Sequence, residues 1–178
     1  MFVKRPPPLN SITQYLAAMS IEEKKEETVA ELLFEFERNQ ELRPRVYKHW
    51  ETAFNIYLKT GDLQTYQTIV KAATDNFATI SNNIKKIASK LQDTKGADIA
   101  TVIIEELQQK EKTQLQRTIQ MQLLVEENSK KRDDYEGFEE AVMQRRIEEA
   151  QRNIAESITE INEVLDQIRI MKYELQDV

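Results

Sequence analysis

Residues 63–92, LQTYQTIVKAATDNFATISNNIKKIASKLQ, are the stretch from which the fold follows. Within it Leu63, Tyr66, Val70, Ala73, Phe77, Ile80, Ile84, Ile87 and Leu91 recur at intervals of three and four residues. An α-helical turn of 3.6 residues lines such positions up along one side, so the spacing predicts a long helix with a single apolar seam. One seam is not enough to fold a chain. Burying a large apolar side chain contributes about 1.5–3 kcal/mol, whereas ordering each residue costs about 1–2 kcal/mol of backbone entropy. The seam must therefore meet another.

The matching seam precedes it. Val29, Leu33, Phe36, Gln40, Arg43, Tyr47, Trp50, Phe54 and Tyr57 follow the same alternation. Ser20 with Glu23 three residues later is a capping-box pattern, which puts the start of this helix near Ile21. Pro44 removes a backbone donor, but the stripe keeps its phase across it, so the spacing predicts a kinked continuous helix. Thr60-Gly61-Asp62 then supplies a stop and a restart, glycine for the left-handed position after a helix and aspartate to cap the next. The two helices are expected to form an antiparallel hairpin.

Lys95-Gly96-Ala97-Asp98 repeats that punctuation and opens a third helix, with Ile99, Val102, Ile103 and Leu107 as its apolar start. From Gln108 to Gln122 only Leu115, Ile119 and Met121 are apolar, so one narrow face is expected to be buried. A charged stretch, Lys130 to Asp134, leads to Tyr135, Gly137 and Phe138, where a bend or short break is expected. The last block carries Ile147, Ile154, Ile158, Ile161, Leu165, Ile168 and Leu175, a heptad-like stripe on a polar helix. The expected fold is all-α: a long antiparallel helical hairpin plus a third helix, with a long C-terminal coiled-coil-like helix. Residues 1–19 read as a flexible leader containing Pro6, Pro7 and Pro8, residues 20–130 as the helical domain and residues 131–178 as an acidic C-terminal helix.

Composition narrows the function. With no cysteine among 178 residues, disulfides, thiolate metal sites and cysteine nucleophiles are excluded, and an intracellular reducing compartment is the simpler expectation. No apolar run reaches the roughly 20 residues needed to cross a bilayer. His49 is the only histidine, and beside the seam it reads as a surface or boundary residue, not as a metal ligand or triad member. The three glycines are isolated, so no phosphate-cradling loop is present. Lys4 and Arg5 faintly suggest a mitochondrial presequence, but Pro6, Pro7 and Pro8 prevent a helix from starting there.

Three further features have ordinary structural readings. Tyr47, Trp50, Phe54 and Tyr57 could stack bases, yet they share the line of Val29 and Leu33 and read as core. The acidic clusters Glu22 to Glu27 and Asp133 to Glu140 lack calcium-loop spacing and read as solvated faces. Lys85, Lys86 and Lys90 could touch phosphates, but the net charge of −6 favours a solvent-exposed role. No catalytic, cofactor-binding or metal-binding residues are expected. The charge is uneven: the segment from Asp133 to the end carries −8 and the remainder +2. Ile154, Ile158, Ile161, Leu165 and Ile168 are too apolar to stay bare, while the −8 charge opposes self-association, which makes them candidate partner-binding residues. The competing reading folds this helix onto the hairpin as a fourth bundle member.

Phe36, Gln40, Arg43, Tyr47, Tyr57-Leu58, Tyr66, Val70, Phe77, Ile80-Ser81, Ile84, Ile87 and Leu91 form a pattern that resembles the B-type domain of the required-for-excision family. Leu107-Gln108, Glu111-Lys112, Leu115, Thr118 and Gln122 extend it, so that it covers roughly Leu32 to Glu126. Its polar markers are Gln40, Arg43, Ser81 and Gln108. The resemblance implies a small helical domain linked to excision repair of damaged DNA, with nuclear localisation and no family catalytic residues to transfer. Together these readings give a non-enzymatic scaffold or adaptor that binds protein partners in a larger complex, without cofactor, membrane or small-molecule substrate. Direct nucleic-acid binding is not expected. The alternative is a structural subunit of a cytoskeletal assembly such as the ciliary axoneme.

Overall fold

The computed structural model describes residues 27–94, 97–131 and 137–176, excepting the side chains of 175 and 176. Its helices are α1 (Val29–Gln40), α2 (Leu42–Thr60), α3 (Leu63–Gln92), α4 (Asp98–Lys131) and α5 (Gly137–Gln176), with no strand among the described residues. The Pro-containing leader, the Ser20–Glu23 pattern, Lys95-Gly96 and Tyr135 of the expected break lie outside the described residues, as does the side chain of Leu175, whereas Gly137 and Phe138 of that break open α5.

The helix that carries the first seam is capped at Thr28 and runs from Val29. Thr28 is extended and caps α1: its hydroxyl accepts from the Glu31 N–H at 3.2 Å, and its own N–H donates to the Glu31 carboxylate at 2.9 Å. This is a capping box eight residues downstream of the one read from Ser20. The helix is interrupted at Glu41, beside Pro44, where a kink is expected. Glu41 keeps helical backbone angles and its N–H donates to the Glu37 carbonyl, so the backbone runs from α1 into α2 through this one residue. Pro44, which has no N–H to offer the Gln40 carbonyl one turn back, accounts for the interruption.

Gly61 adopts the left-handed conformation, φ 72°, and its N–H donates to the Tyr57 carbonyl. Asp62 then caps α3 by accepting from the Thr65 N–H at 3.0 Å. The hairpin forms as its sequence predicts, and from Ala73 to Leu91 the α3 seam is buried throughout. Leu63, at the start of that seam, is exposed.

On α4 and α5 the buried faces agree with the expected stripes in part: Leu107 of α4 and Ile147, Ile161 and Ile168 of α5 are buried as expected, while Ile99, Val102 and Ile158 are not. Ile99 and Val102 are 68% and 64% exposed; the positions facing inward are Ala97, Ala100, Ile104, Leu107 and Glu111, again three and four apart. The small Ala97 and Ala100 are members of the main core cluster, in place of the bulkier Ile99 and Val102. On α5 the buried line runs through Met143, Ile147, Ser157, Ile161, Val164 and Ile168, with Ile158 outside it at 42% exposed.

The main core joins both ends of the chain. Leu32, Leu33 and Phe36 of α1, Ile80, Ile84, Ile87 and Leu91 of α3, Ile104 and Leu107 of α4, and Ile161, Val164 and Ile168 of α5 form one cluster. Four helical rods therefore pack together at this end, and α5 lies most extensively along α4, with its C-terminal part also against α1. The Lys172 ammonium pairs with Glu37 across that contact. At the hairpin-turn end a smaller aromatic cluster of Trp50, Ala73 and Phe77, flanked by Tyr47, Tyr66, Val70 and Leu115, replaces the four-rod core.

Candidate functional site

Over the smaller cluster α3 and α4 line an open groove of about 1100 Å³. Its floor comes from α2 and α3, where Trp50, Phe54 and Phe77 are nearly fully buried and Val70 is half-buried, with Leu115 entering from α4. Tyr47 and Phe77 rings lie 4.7 Å apart and Tyr57 stacks on Tyr66 at 5.0 Å. These aromatics are held in the core, as their place on the seam predicts, and offer no free faces on which bases could stack. Leu63, Ile119 and Leu123 stand exposed at the rim. Ile119 thus departs from the narrow buried face expected of α4.

Polar contacts close the groove at each end. Near the hairpin turn the Trp50 indole N–H donates to the Tyr66 hydroxyl at 3.2 Å, which donates to Gln122 Oε1 at 2.8 Å, while the Tyr57 hydroxyl donates to Glu126 at 2.7 Å. The Lys130 ammonium, together with that last bond, holds the Glu126 carboxyl below its ordinary range. At the opposite end, Arg43 reaches from α2 to the other two walls. Its guanidinium donates to Ser81 Oγ on α3 at 3.0 Å, meets the Glu111 carboxylate of α4 at 2.8 Å, and lies 5.7 Å from the centre of the Phe77 ring. Gln108 Nε2 approaches the Ser81 carbonyl at 3.5 Å.

The four polar markers singled out in the sequence, Gln40, Arg43, Ser81 and Gln108, therefore converge on one buried cluster around Glu111. Gln40 Nε2, Arg43 Nε, the Tyr47 hydroxyl and both Glu111 carboxylate oxygens have no well-directed hydrogen bond among the described residues. The Arg43–Glu111 contact is thus mainly a charge pair, with its N–H vectors turned aside. Burial raises the Glu111 carboxyl from 4.5 to about 6, an effect that Arg43 only partly offsets, and pushes the Tyr47 hydroxyl up to about 12. Nothing in the residue spacing alone joins Glu111 to Arg43, 68 positions away. The signal available was the family-like pattern itself.

The candidate partner-binding residues of α5 divide between the core and the surface. Ile161 and Ile168 are buried in the chain's own core, Leu165 packs against it, Ile154 is half-buried, and Ile158 is exposed. The stripe thus packs as the fourth bundle helix. Ser157, one residue from Ile158, is buried and accepts from Arg117 Nη1 of α4 at 2.6 Å. His49 is exposed, and so are Lys85, Lys86 and Lys90, the last paired with Glu27 at 2.5 Å. No helix among the described residues is long and apolar enough to cross a membrane.

No curated protein and no solved structure matches the chain. A family model does: residues 31–125 match the one described as DNA repair REX1-B. That span covers more than half the chain, the whole polar cluster and every groove residue except Glu126, whereas α5 falls outside it. By this match, and by the convergence of its polar markers on one site, the chain belongs to the DNA repair REX1-B family.

Proposed function

We propose that the protein is a non-enzymatic adaptor of nuclear DNA-repair assemblies, which holds protein partners together and transforms no substrate. The observation that carries this reading is the groove between α3 and α4. Between its closed ends it is open to solvent, apolar in its floor and rimmed by the exposed Leu63, Ile119 and Leu123. Small-molecule sites are concave pockets of about 300–1,000 Å³ that enclose most of their ligand, whereas an open channel between two helices suits a macromolecular segment. Family membership supports the link to repair and, with it, the nuclear assignment. The net charge of −6 supports contact with DNA through partners, because affinity for the phosphate backbone grows with the number of cations presented to it.

Affinity purification of the intact protein from cells with damaged DNA, followed by mass spectrometry, tests this reading. Repair proteins should be recovered with the parent and lost with Ile119→Asp/Leu123→Asp. Recovery of no repair protein with the parent would refute the adaptor role, and purified protein that turns over a damaged-DNA substrate would refute its non-enzymatic character.

A further inference from the structure

We infer that the α3/α4 groove receives an amphipathic helix whose apolar anchors are flanked by acidic side chains. This inference rests on the adaptor reading and specifies the chemistry of the partner. Length is the first argument. Between its closed ends at Tyr66 and Ser81 the α3 wall extends about 22 Å at 1.5 Å per residue, room for roughly four helical turns. The α4 wall offers Leu115, Ile119 and Leu123 at intervals of four, a stripe that would interdigitate with anchors spaced i, i+3/i+4 and i+7.

Charge selects among helices. Lys71 and Lys85 on α3 and Lys112 on α4 stand at the groove walls and make no ion pair among the described residues. Of the acids lining the groove among the described residues, Glu111 is turned to Arg43 and Glu126 is held by Lys130 and Tyr57, which leaves Glu105 to oppose these three lysines. On a chain of net charge −6, the groove walls are a local basic exception. An acidic helix is drawn to them and a basic one is repelled. A second copy of the chain is disfavoured because its acidic helix, α5, is already packed on α4 and α1. Nucleic acid is disfavoured because the aromatic floor is buried and three lysines neutralise few phosphates.

The test is a displayed library of 20-residue helices, with leucine fixed at anchor spacing and Glu, Gln or Lys free at the flanking positions, selected against the full chain. The expected result is at least tenfold enrichment of Glu over Lys at those flanks. Binding of the selected helices should be lost with Ile119→Asp/Leu123→Asp and weakened at least tenfold with Lys71→Glu/Lys85→Glu/Lys112→Glu, both variants retaining the parental helical spectrum and melting curve. If either variant unfolds, Leu123→Ser and Lys85→Gln, at exposed positions, are measured in its place with the same expected direction. No enrichment, enrichment of Lys, or selected helices that bind the groove variants as well as the parent would overturn the inference. So would a 20-nucleotide single strand or duplex that competes for the groove more strongly than the selected helices. Recovery of repair proteins by the parent chain is a separate readout, so the adaptor reading survives or fails independently.

Discussion

Arg43 is the residue on which three helices depend. It carries a buried charge from α2 to Ser81 of α3 and Glu111 of α4. Glu111→Ala would leave that guanidinium buried without its counter-charge, and a loss of about 3–5 kcal/mol is expected in urea denaturation at pH 7. Removing both charges at similar volume, with Arg43→Met/Glu111→Leu, should give a protein at least as stable as the parent, because the desolvation cost of the two ions disappears with their attraction. The pair also makes stability depend on pH. Glu111 has a folded pKa of about 6, above its ordinary 4.5, so the folded chain binds this proton more tightly than the unfolded one does. Stability from this group therefore grows as pH falls from about 6 towards 4.5 and is lost as pH rises through the same window, by roughly 1–2 kcal/mol in all. Denaturation of the parent between pH 7 and 4.5 should show this slope relative to the Arg43→Met/Glu111→Leu protein; parallel curves would mean that Glu111 is solvated in the folded state.

Among the elements, the hairpin turn is the one most fully specified by local chemistry. Gly61 has φ 72°, and a Cβ placed there meets nothing within 4 Å. Gly61→Ala should thus cost only backbone strain, about 1–2 kcal/mol, and Gly61→Asn less, since asparagine tolerates the left-handed region. Thermal melts of the two variants check the order; equal melting temperatures would show that the turn relaxes to another conformation. The interruption beside Pro44 was legible for a similar reason, because a missing N–H acts within one helical turn. The faces of α4 and α5 were less legible. Each carries two overlapping stripes one residue apart: Ile99 and Val102 beside Ala100 on α4, Ile158 and Leu165 beside Ser157 and Val164 on α5. Apolar spacing alone favours the bulkier stripe. On α4 it is the small Ala100 that joins the main core, and on α5 the bond from Arg117 favours Ser157.

At the scale of the whole molecule, α5 completes the core that α1, α3 and α4 begin. A chain ending at Lys131 would lose Ile161, Val164 and Ile168 from that cluster. At about 1.5–3 kcal/mol for each buried side chain, its melting temperature should fall by roughly 10–35 °C. Ile168→Ala in the full chain should cost about 2–5 kcal/mol, whereas Ile158→Ala, at an exposed position, should cost under about 0.5 kcal/mol. Similar losses at the two sites would place α5 in a different rotation. The acidic segment is therefore part of the structural unit formed with the family domain, although the family match stops short of it.

The sequence by itself determined the helices, the hairpin and the seam along α3, because helical periodicity, a left-handed glycine and a capping aspartate act over a few residues. Its polar markers also determined the family. Only the tertiary structure decided which stripe of α4 and α5 turns inward, that Gln40, Arg43, Ser81, Gln108 and Glu111 meet, and that α3 and α4 line a groove. Those outcomes depend on how whole helices rotate and tilt against one another. Side chains remote in sequence compete for the same volume, and no local pattern records which of them prevails.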